Sequence, residues 1–315
     1  MLEIKNISFS YNKTITIHSM NFVLEKGNNL AIIGESGCGK STLLQLIYGL
    51  YDLDQGQIYW NNQEVLGPKI HLIPGMAYMK YLAQDFDLMP FITVAENVGK
   101  FLSNRNPKEK KRRVEELLEL VEMSEFSSVK AKFLSGGQMQ RIAIARVLAL
   151  EPEVLLLDEP FSHIDNSRKN SLRRKLFQYL KEKQITCLIA THDSADVLSF
   201  ADEVLVMQSG KIIDFNTPKN TFSTPKSLYI ASLFDDVNEI PNHYFDTSKT
   251  QNEISLVYPH QLQIVAKSRL IATVSNSYFR GSHYLIEAKF AEGILFFQNK
   301  NDVKIGEKVH LSLKD

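Results

Sequence analysis

The chain has little cysteine, no excess of either charge and no long apolar run, and each shortage removes a class of protein. Only Cys38 and Cys187 occur, in unrelated stretches, so no disulfide framework is expected and a reducing compartment suits the chain. Lys plus Arg number 36, as do Asp plus Glu, which leaves no global field to attract nucleic acid or acidic lipid. No stretch approaches the roughly 20 apolar residues of a membrane helix. The richest, Val147 to Leu157, is interrupted by Glu151, Pro152 and Glu153. Work at a membrane would need another chain to do the spanning. Met1 to Phe9 alternates apolar and polar residues without the apolar core of a secretory signal, so no leader is expected. Internal repeats and low-complexity tracts are missing too. What remains, 315 residues that are 44% hydrophobic and 23% charged, is ordinary for a globular protein and long enough for one large domain or two.

The most informative stretch is Gly34-Glu35-Ser36-Gly37-Cys38-Gly39-Lys40-Ser41-Thr42. It fits the phosphate-loop pattern of glycine, four residues, then Gly-Lys-Ser. Leu30 to Ile33 before it reads as a buried strand, and Leu43, Leu44, Leu46 and Ile47 after it have the spacing of a buried helical stripe. A chance glycine-rich turn is the alternative, and strand and helix on either side argue against it. The glycines let backbone N–H groups turn inward, and the helix N-terminus adds a favourable dipole. Lys40 is placed to reach the outer phosphates, Ser41 to hold Mg²⁺ and Thr42 to bond an inner phosphate. A nucleoside triphosphate site is expected.

In chain order, Leu2–Phe9 and Ile15–Leu24 read as strands, followed by a hairpin strand over Gln57–Trp60 that turns at Asn61-Asn62. Ala77–Ala83 reads as a buried strand ending at Gln84-Asp85, and Thr93–Leu102 as a helix. Asn106-Pro107 caps a further helix with Val114, Leu117, Leu118 and Val121 on its apolar face. Its basic run, Lys108 to Arg113, is followed by Glu115, Glu116, Glu119 and Glu122, which favours a solvated face over a nucleic-acid patch. A helix over Asn166–Lys183 carries Leu172, Leu176 and Leu180, the strand Thr186–Ala190 follows, and a hairpin over Glu203–Phe215 closes a first domain near residue 220. Residues 216–252 read as irregular, with one helix near Leu228–Phe234. From Glu253 the period is two, with Gly281, Gly293 and Gly306 between short strands, which predicts a small barrel.

Of three further motifs, two sit where strands end, and ligands of parallel sheets gather at such ends. Asp158, closing Val154–Leu157, suits a Mg²⁺ ligand, and Glu159 suits a base that orients and deprotonates water; taken alone, a solvated turn explains the pair better. Leu134-Ser135-Gly136-Gly137-Gln138 feeds a second helix, which makes either an anion site or simply a helix start. One nucleotide rarely needs two cradles, so a site shared between two copies is plausible. His192 ends the next strand; alone, it reads as a hydrogen-bonded core histidine.

Taken together, the phosphate loop, Gln84, LSGGQ at 134–138, Val154 to Pro160 and His192 resemble the ATP-binding-cassette (ABC) ATPases over residues 1–220. The resemblance implies an α/β fold: a phosphate-loop cassette with a mixed-sheet core, an antiparallel subdomain and a helical subdomain at about 85–133. It also implies a head-to-tail dimer in which Ser135, Gly136, Gly137 and Gln138 of one copy close on ATP held by the other. By the same carry-over, Tyr11 stacks on adenine, although packing in the core is the competing reading of that ring. Gln84 touches Mg²⁺ and the attacking water, Glu159 is the catalytic base and His192 clamps the γ-phosphate. Asp165 crosses the dimer interface, and His163 stands where the family has a small residue. Cys38 is read as incidental to catalysis, with alkylation there expected to block ATP sterically, and Cys187 as core.

After a linker at 221–252, residues 253–315 resemble the transport-associated OB-like (TOBE) domain of sugar, polyamine, ferric-iron and molybdate importer ATPases. Tyr258-Pro259, Gln261-Leu262 and Gly306-Glu307-Lys308-Val309 carry that likeness. The expected protein is thus the ATPase of an ABC importer, peripheral at the cytoplasmic face of the cell membrane. Its partners would be integral-membrane permease subunits, a second copy of itself and, through the permease, a solute-binding protein. Phe86, Leu88, Met89 and Phe91 would meet the permease. An exporter ATPase and a soluble ABC ATPase acting on nucleic acid are the alternatives. The tail weighs against the first. The fifty or so residues between Gln84 and LSGGQ, too few for a coiled-coil insertion, weigh against the second, and no nucleic acid is expected.

Overall fold

Alternating burial along the first two strands sets one face of an antiparallel sheet against the core. β1 (Leu2–Tyr11) and β2 (Thr14–Leu24) form a hairpin, and with β4 (Gln55–Trp60) and β5 (Gln63–Glu64) they make a sheet of order β2-β1-β4-β5. The computed structural model describes residues 1–245 and 253–314, and the chain divides into two compact units, Met1–Pro218 and Lys219–Asp315.

The second sheet of the first unit is organised differently. It comprises β3 (Asn29–Ile33), β6 (Met79–Leu82), β7 (Val154–Asp158), β8 (Thr186–Ala190), β9 (Glu203–Gln208) and β10 (Lys211–Asn216) in the order β10-β9-β3-β8-β7-β6. All neighbours are parallel except the β9–β10 hairpin. Every residue of β3, β7 and β8 is buried, as expected of parallel strands covered on both faces. Because β3, β6, β7 and β8 run the same way, the phosphate loop, Gln84, Asp158-Glu159 and Thr191-His192 all emerge from one edge of the sheet. Helix α1 (Lys40–Ile47) leaves β3 there, and Leu43, Leu44, Leu46 and Ile47 join a single core with Leu2, Trp60, Leu156 and Leu188.

Between β6 and β7 lie α2 (Val94–Val98), α3 (Pro107–Leu120) and α4 (Gly136–Leu148). α2 is shorter than the helix expected over 93–102. Thr93 and Glu96 form a reciprocal capping box at its start, but Gly99 is its C-cap. Asn106 caps α3, whose first residue is Pro107. The basic run on α3 is not wholly solvated. Arg113 is largely buried and donates to the carbonyls of Leu148 (2.8 Å) and Ala149 (3.4 Å) at the end of α4, where a cation offsets the helix dipole. α5 (Asn166–Glu182) and α6 (Ser194–Phe200) complete the unit.

The units divide at the first residue of α7 (Pro218–Ser223), and α8 (Leu228–Ser232) follows. β11 (Asn238–Pro241) pairs antiparallel with β12 (Ile254–Val257). β13 (Leu262–Val265), β14 (Leu270–Phe279), β15 (Tyr284–Phe290), β16 (Gly293–Asn299) and β17 (Lys308–Leu313) form an antiparallel sheet of order β13-β17-β14-β15-β16. Its edge strands β13 and β16 approach each other, curling the sheet toward a barrel. Within 221–245, read from the sequence as linker with one helix near Leu228–Phe234, that helix is present as α8, and β11 is an added element. Ile240 is fully buried with Leu262, Ile286 and Phe297, and Asn238 exchanges hydrogen bonds with the backbone of Phe296. The rest of the expected linker, 246–252, and the barrel's last residue, Asp315, lie outside the described residues.

Candidate active site

The phosphate loop is shaped by what its first glycine must avoid. Gly34 has φ +151°, and a Cβ there would lie 2.2 Å from the carbonyl oxygen of Met207, so no other residue fits. The loop curls around its own lysine: Lys40 Nζ donates to the carbonyls of Gly34 (2.8 Å) and Glu35 (3.0 Å). Helix α1 begins with Gly39 as N-cap and no side chain capping it, which leaves first-turn N–H groups for an anion. A cleft of about 220 Å³ opens here, lined by Thr16, Ser36, Gly37, Gly39, Lys40, Ser41, Thr42, Gln84 and Glu159. Sequence motifs from three strand ends thus share one cavity. Cys38, buried inside the loop, does not line it, and burial pushes its thiol pKa up.

Beneath the cleft, Asp158 is almost fully buried. Tyr81 on β6 donates to its Oδ2 at 3.2 Å, and Ser41 stands beside the carboxylate. Burial raises the Asp158 pKa against the opposing pull of Ser41, Tyr81 and Lys40. Among the described residues its Oδ1 has no hydrogen-bond partner. An orphaned buried carboxylate oxygen beside a serine hydroxyl is costly in isolation and suits a hard cation that takes one or two carboxylates and completes its shell with water and phosphate. Ser41, Asp158 and, from the rim, Gln84 therefore fit Mg²⁺.

Glu159 follows with φ +51°, a left-handed conformation costing about 1–2 kcal/mol for a residue with a Cβ. Its Oε2 lies 2.6 Å from Nδ1 of His192, whose side chain is otherwise 71% exposed. The Nδ1–H donates to the carboxylate, so Nε2 is the ring nitrogen left for a ligand. The turn holding His192 is pinned from behind. Arg173, buried on α5, lies 2.5 Å from Asp193 Oδ2 and 2.5 Å from Asp196 Oδ1, the second a charge contact without hydrogen-bond alignment. Asp196 in turn accepts from Thr191 Oγ1 at 2.6 Å.

The signature segment is a separate construction. Ser135 caps α4 in a reciprocal box with Gln138: Ser135 N–H donates to Gln138 Oε1 (2.8 Å) and Gln138 N–H to Ser135 Oγ (3.3 Å). A Cβ on Gly137 would stand 2.6 Å from the His163 carbonyl oxygen, so glycine lets the helix start lie against the 162–165 turn. Ser135, Gly137 and Gln138 line a small hollow of about 60 Å³ with Arg141, Ile164, Asp165 and Arg168. Among the described residues none lines both this hollow and the phosphate-loop cleft.

Tyr11 lies outside both. Its ring packs edge-on against Phe9 and Tyr51, with the hydroxyl 3.4 Å from Gln45 on α1, yet it remains 37% exposed. Phe86 and Asp87 line another groove, of about 500 Å³, with Tyr81, Phe101, Arg146 and Leu150; Leu88, Met89 and Phe91 do not line it. Reading the sequence missed Tyr81, Gln140 and Arg173. Two of them lie mid-helix in otherwise ordinary amphipathic patterns. Only Gln140, a polar residue on the apolar side of α4 beside Ala143 and Ile144, carried a signal of its burial.

The model of the family described as "ABC transporter" matches residues 17–162. A Fe(3+) ions import ATP-binding protein of Haemophilus influenzae is 32% identical over 256 residues, 81% of this chain and 72% of the relative. A spermidine/putrescine import ATP-binding protein of Borreliella afzelii is 28% identical across 100% of this chain and 96% of its own length. Among solved structures, the dimeric ATP-binding cassette MJ0796 bound to ADP and Pi superposes with a TM-score of 0.61 at 27% identity, covering 69% of this chain and 99% of that one. With a phosphate-loop cleft, an adjoining Glu159–His192 pair and a signature-capped helix on this fold, the chain belongs to the ABC transporter family, among its importer-type ATP-binding proteins.

Proposed function

We propose that two copies of this chain, arranged head to tail, bind two ATP molecules and hydrolyse them to drive import through a separate membrane permease. The observation that carries this is the placing of Glu159, held to His192 at the mouth of the phosphate-loop cleft. Lys40 and the loop N–H groups hold the β- and γ-phosphates, and Tyr11 offers its exposed face to adenine. Ser41, Asp158 and Gln84 would hold Mg²⁺, which would offset charge on the transferring phosphoryl group. Glu159 takes a proton from water as its oxygen bonds the γ-phosphorus and the bond to the ADP oxygen breaks. His192 Nε2 faces the γ-phosphate and keeps Glu159 aimed. Ser135, Gly136, Gly137 and Gln138 of the second copy close the site, since their own hollow lies apart from the cleft.

In this reading a permease spans the membrane and this chain docks peripherally on its cytoplasmic side; among the described residues no helix is long and apolar enough to cross a membrane. The 500 Å³ groove lined by Phe86, Phe101 and Leu150 suits an apolar cytoplasmic segment of that partner. A solute-binding protein acts on the far side of the permease. Relatives named for ferric ion and for polyamines match at similar identity, because cargo contacts lie on the permease and its solute-binding protein.

Affinity purification of tagged Glu159→Gln protein with ATP from detergent-solubilised native membranes tests the assignment. Recovery of a polytopic membrane protein is expected, and that partner would identify the cargo. Recovery of soluble proteins or nucleic acid alone would refute transport.

A further inference from the structure

We infer that Gln140 is a positioning residue for hydrolysis: its buried amide fixes the backbone of Glu159 and ties it to the signature helix. This inference rests on Glu159 being the base.

Gln140 lies on α4, five residues beyond Ser135, and is 2% exposed. Its Nε2 donates to the Glu159 carbonyl at 2.9 Å and to Ser162 Oγ at 3.3 Å, while its Oε1 accepts the His163 N–H at 3.0 Å. The amide's two donors and its oxygen are all engaged on the 159–163 turn. Glu159 needs such support, because its φ of +51° is one that residues with a Cβ rarely adopt. Its N–H donates to the Ala190 carbonyl at 2.9 Å. Its own carbonyl receives Gln140, Ser162 Oγ (3.0 Å) and Ser162 N–H (3.3 Å). The last two come from within the turn, whereas Gln140 comes from the helix capped by Ser135. Loss of Gln140 frees the 159 peptide to rotate, which moves the carboxylate away from His192 and from the water it must reach. A misplacement of about 1 Å in a reacting group is enough to cost on the order of 10²-fold in rate.

The competing view is that Gln140 merely satisfies buried backbone groups, as most buried amides do. Gln140→Met separates the two, since it keeps length and bulk and removes every hydrogen bond. A positioning role predicts that kcat for ATP falls roughly 10- to 100-fold, with KM for ATP and ATP-driven dimerisation within about two-fold of wild type. In a Glu159→Gln background, where no base is left to aim, the same change should leave the residual single-turnover rate unaltered. Ser162→Ala removes one donor at the same carbonyl from an exposed position and should lower kcat about 2- to 5-fold; it keeps the test alive if Gln140→Met does not fold. Unchanged kcat in Gln140→Met, or in Ser162→Ala should the former not fold, overturns the inference. So does an equal further loss in the Glu159→Gln background, or a joint fall of kcat, dimerisation and Tm. Normal turnover in Glu159→Gln alone would overturn the base assignment as well, and would be seen before Gln140 is touched.

Discussion

Oε2 of Glu159 and Nδ1 of His192 stand 2.6 Å apart across the ends of two neighbouring parallel strands. Each side chain fixes the other, so under the proposed function the two act as one catalytic unit. Glu159→Gln should slow hydrolysis roughly 10²–10⁴-fold with ATP affinity retained. His192→Ala should also reduce kcat, and the double variant should be scarcely slower than Glu159→Gln, because residues acting as a unit are not additive. Steady-state kinetics on the three proteins decides this, and fully additive losses would separate the roles.

Two glycines make opposite predictions. Adding a methyl group at Gly34 drives it to within 2.2 Å of the Met207 carbonyl oxygen, whereas at Gly137 it meets the His163 carbonyl oxygen at 2.6 Å. Gly34→Ala should therefore deform the phosphate loop and abolish nucleotide binding. Gly137→Ala should leave binding of a fluorescent ATP analogue intact and suppress hydrolysis, since it disturbs the surface offered to the second copy. Binding titrations beside turnover separate them, and weakened binding in Gly137→Ala would contradict the division.

Asp158 exchanges stability for function. Burial raises its pKa in the folded protein, so its favourable contribution is complete below the ordinary aspartate pKa and is lost as pH rises through the raised value. Above that raised pKa the ionised carboxylate, with Oδ1 unpartnered among the described residues, is a net cost. Asp158→Asn should raise the Tm of the nucleotide-free protein by about 2–4 °C at pH 7, if relief is worth about 1 kcal/mol. The gain should shrink toward acidic pH, while Mg²⁺-dependent hydrolysis disappears. Calorimetry across pH measures it, and a lower Tm at pH 7 would mean that the carboxylate is well satisfied.

What could be read in advance follows the range of the interactions. The phosphate loop, Asp158, Glu159 and LSGGQ are local strings tied to strand ends or helix starts, so the chemistry and the parallel sheet were legible. The Gly99 stop of α2 was lost inside an apolar-periodic run. Within 221–245 the helix near Leu228 was legible but β11 was not, because Ile240 is held by β12 and the barrel core, partners that are distant in sequence. Tyr81, Gln140 and Arg173 act only through tertiary contacts, and nothing local marked the role of Tyr81 or Arg173.

The claim that one ATP is shared by two copies is tested most directly by light scattering on Glu159→Gln protein with and without Mg²⁺-ATP. A dimer that appears only with ATP, and that Gly137→Ala abolishes, is the predicted result. A monomer at saturating ATP, with nucleotide bound, would contradict it.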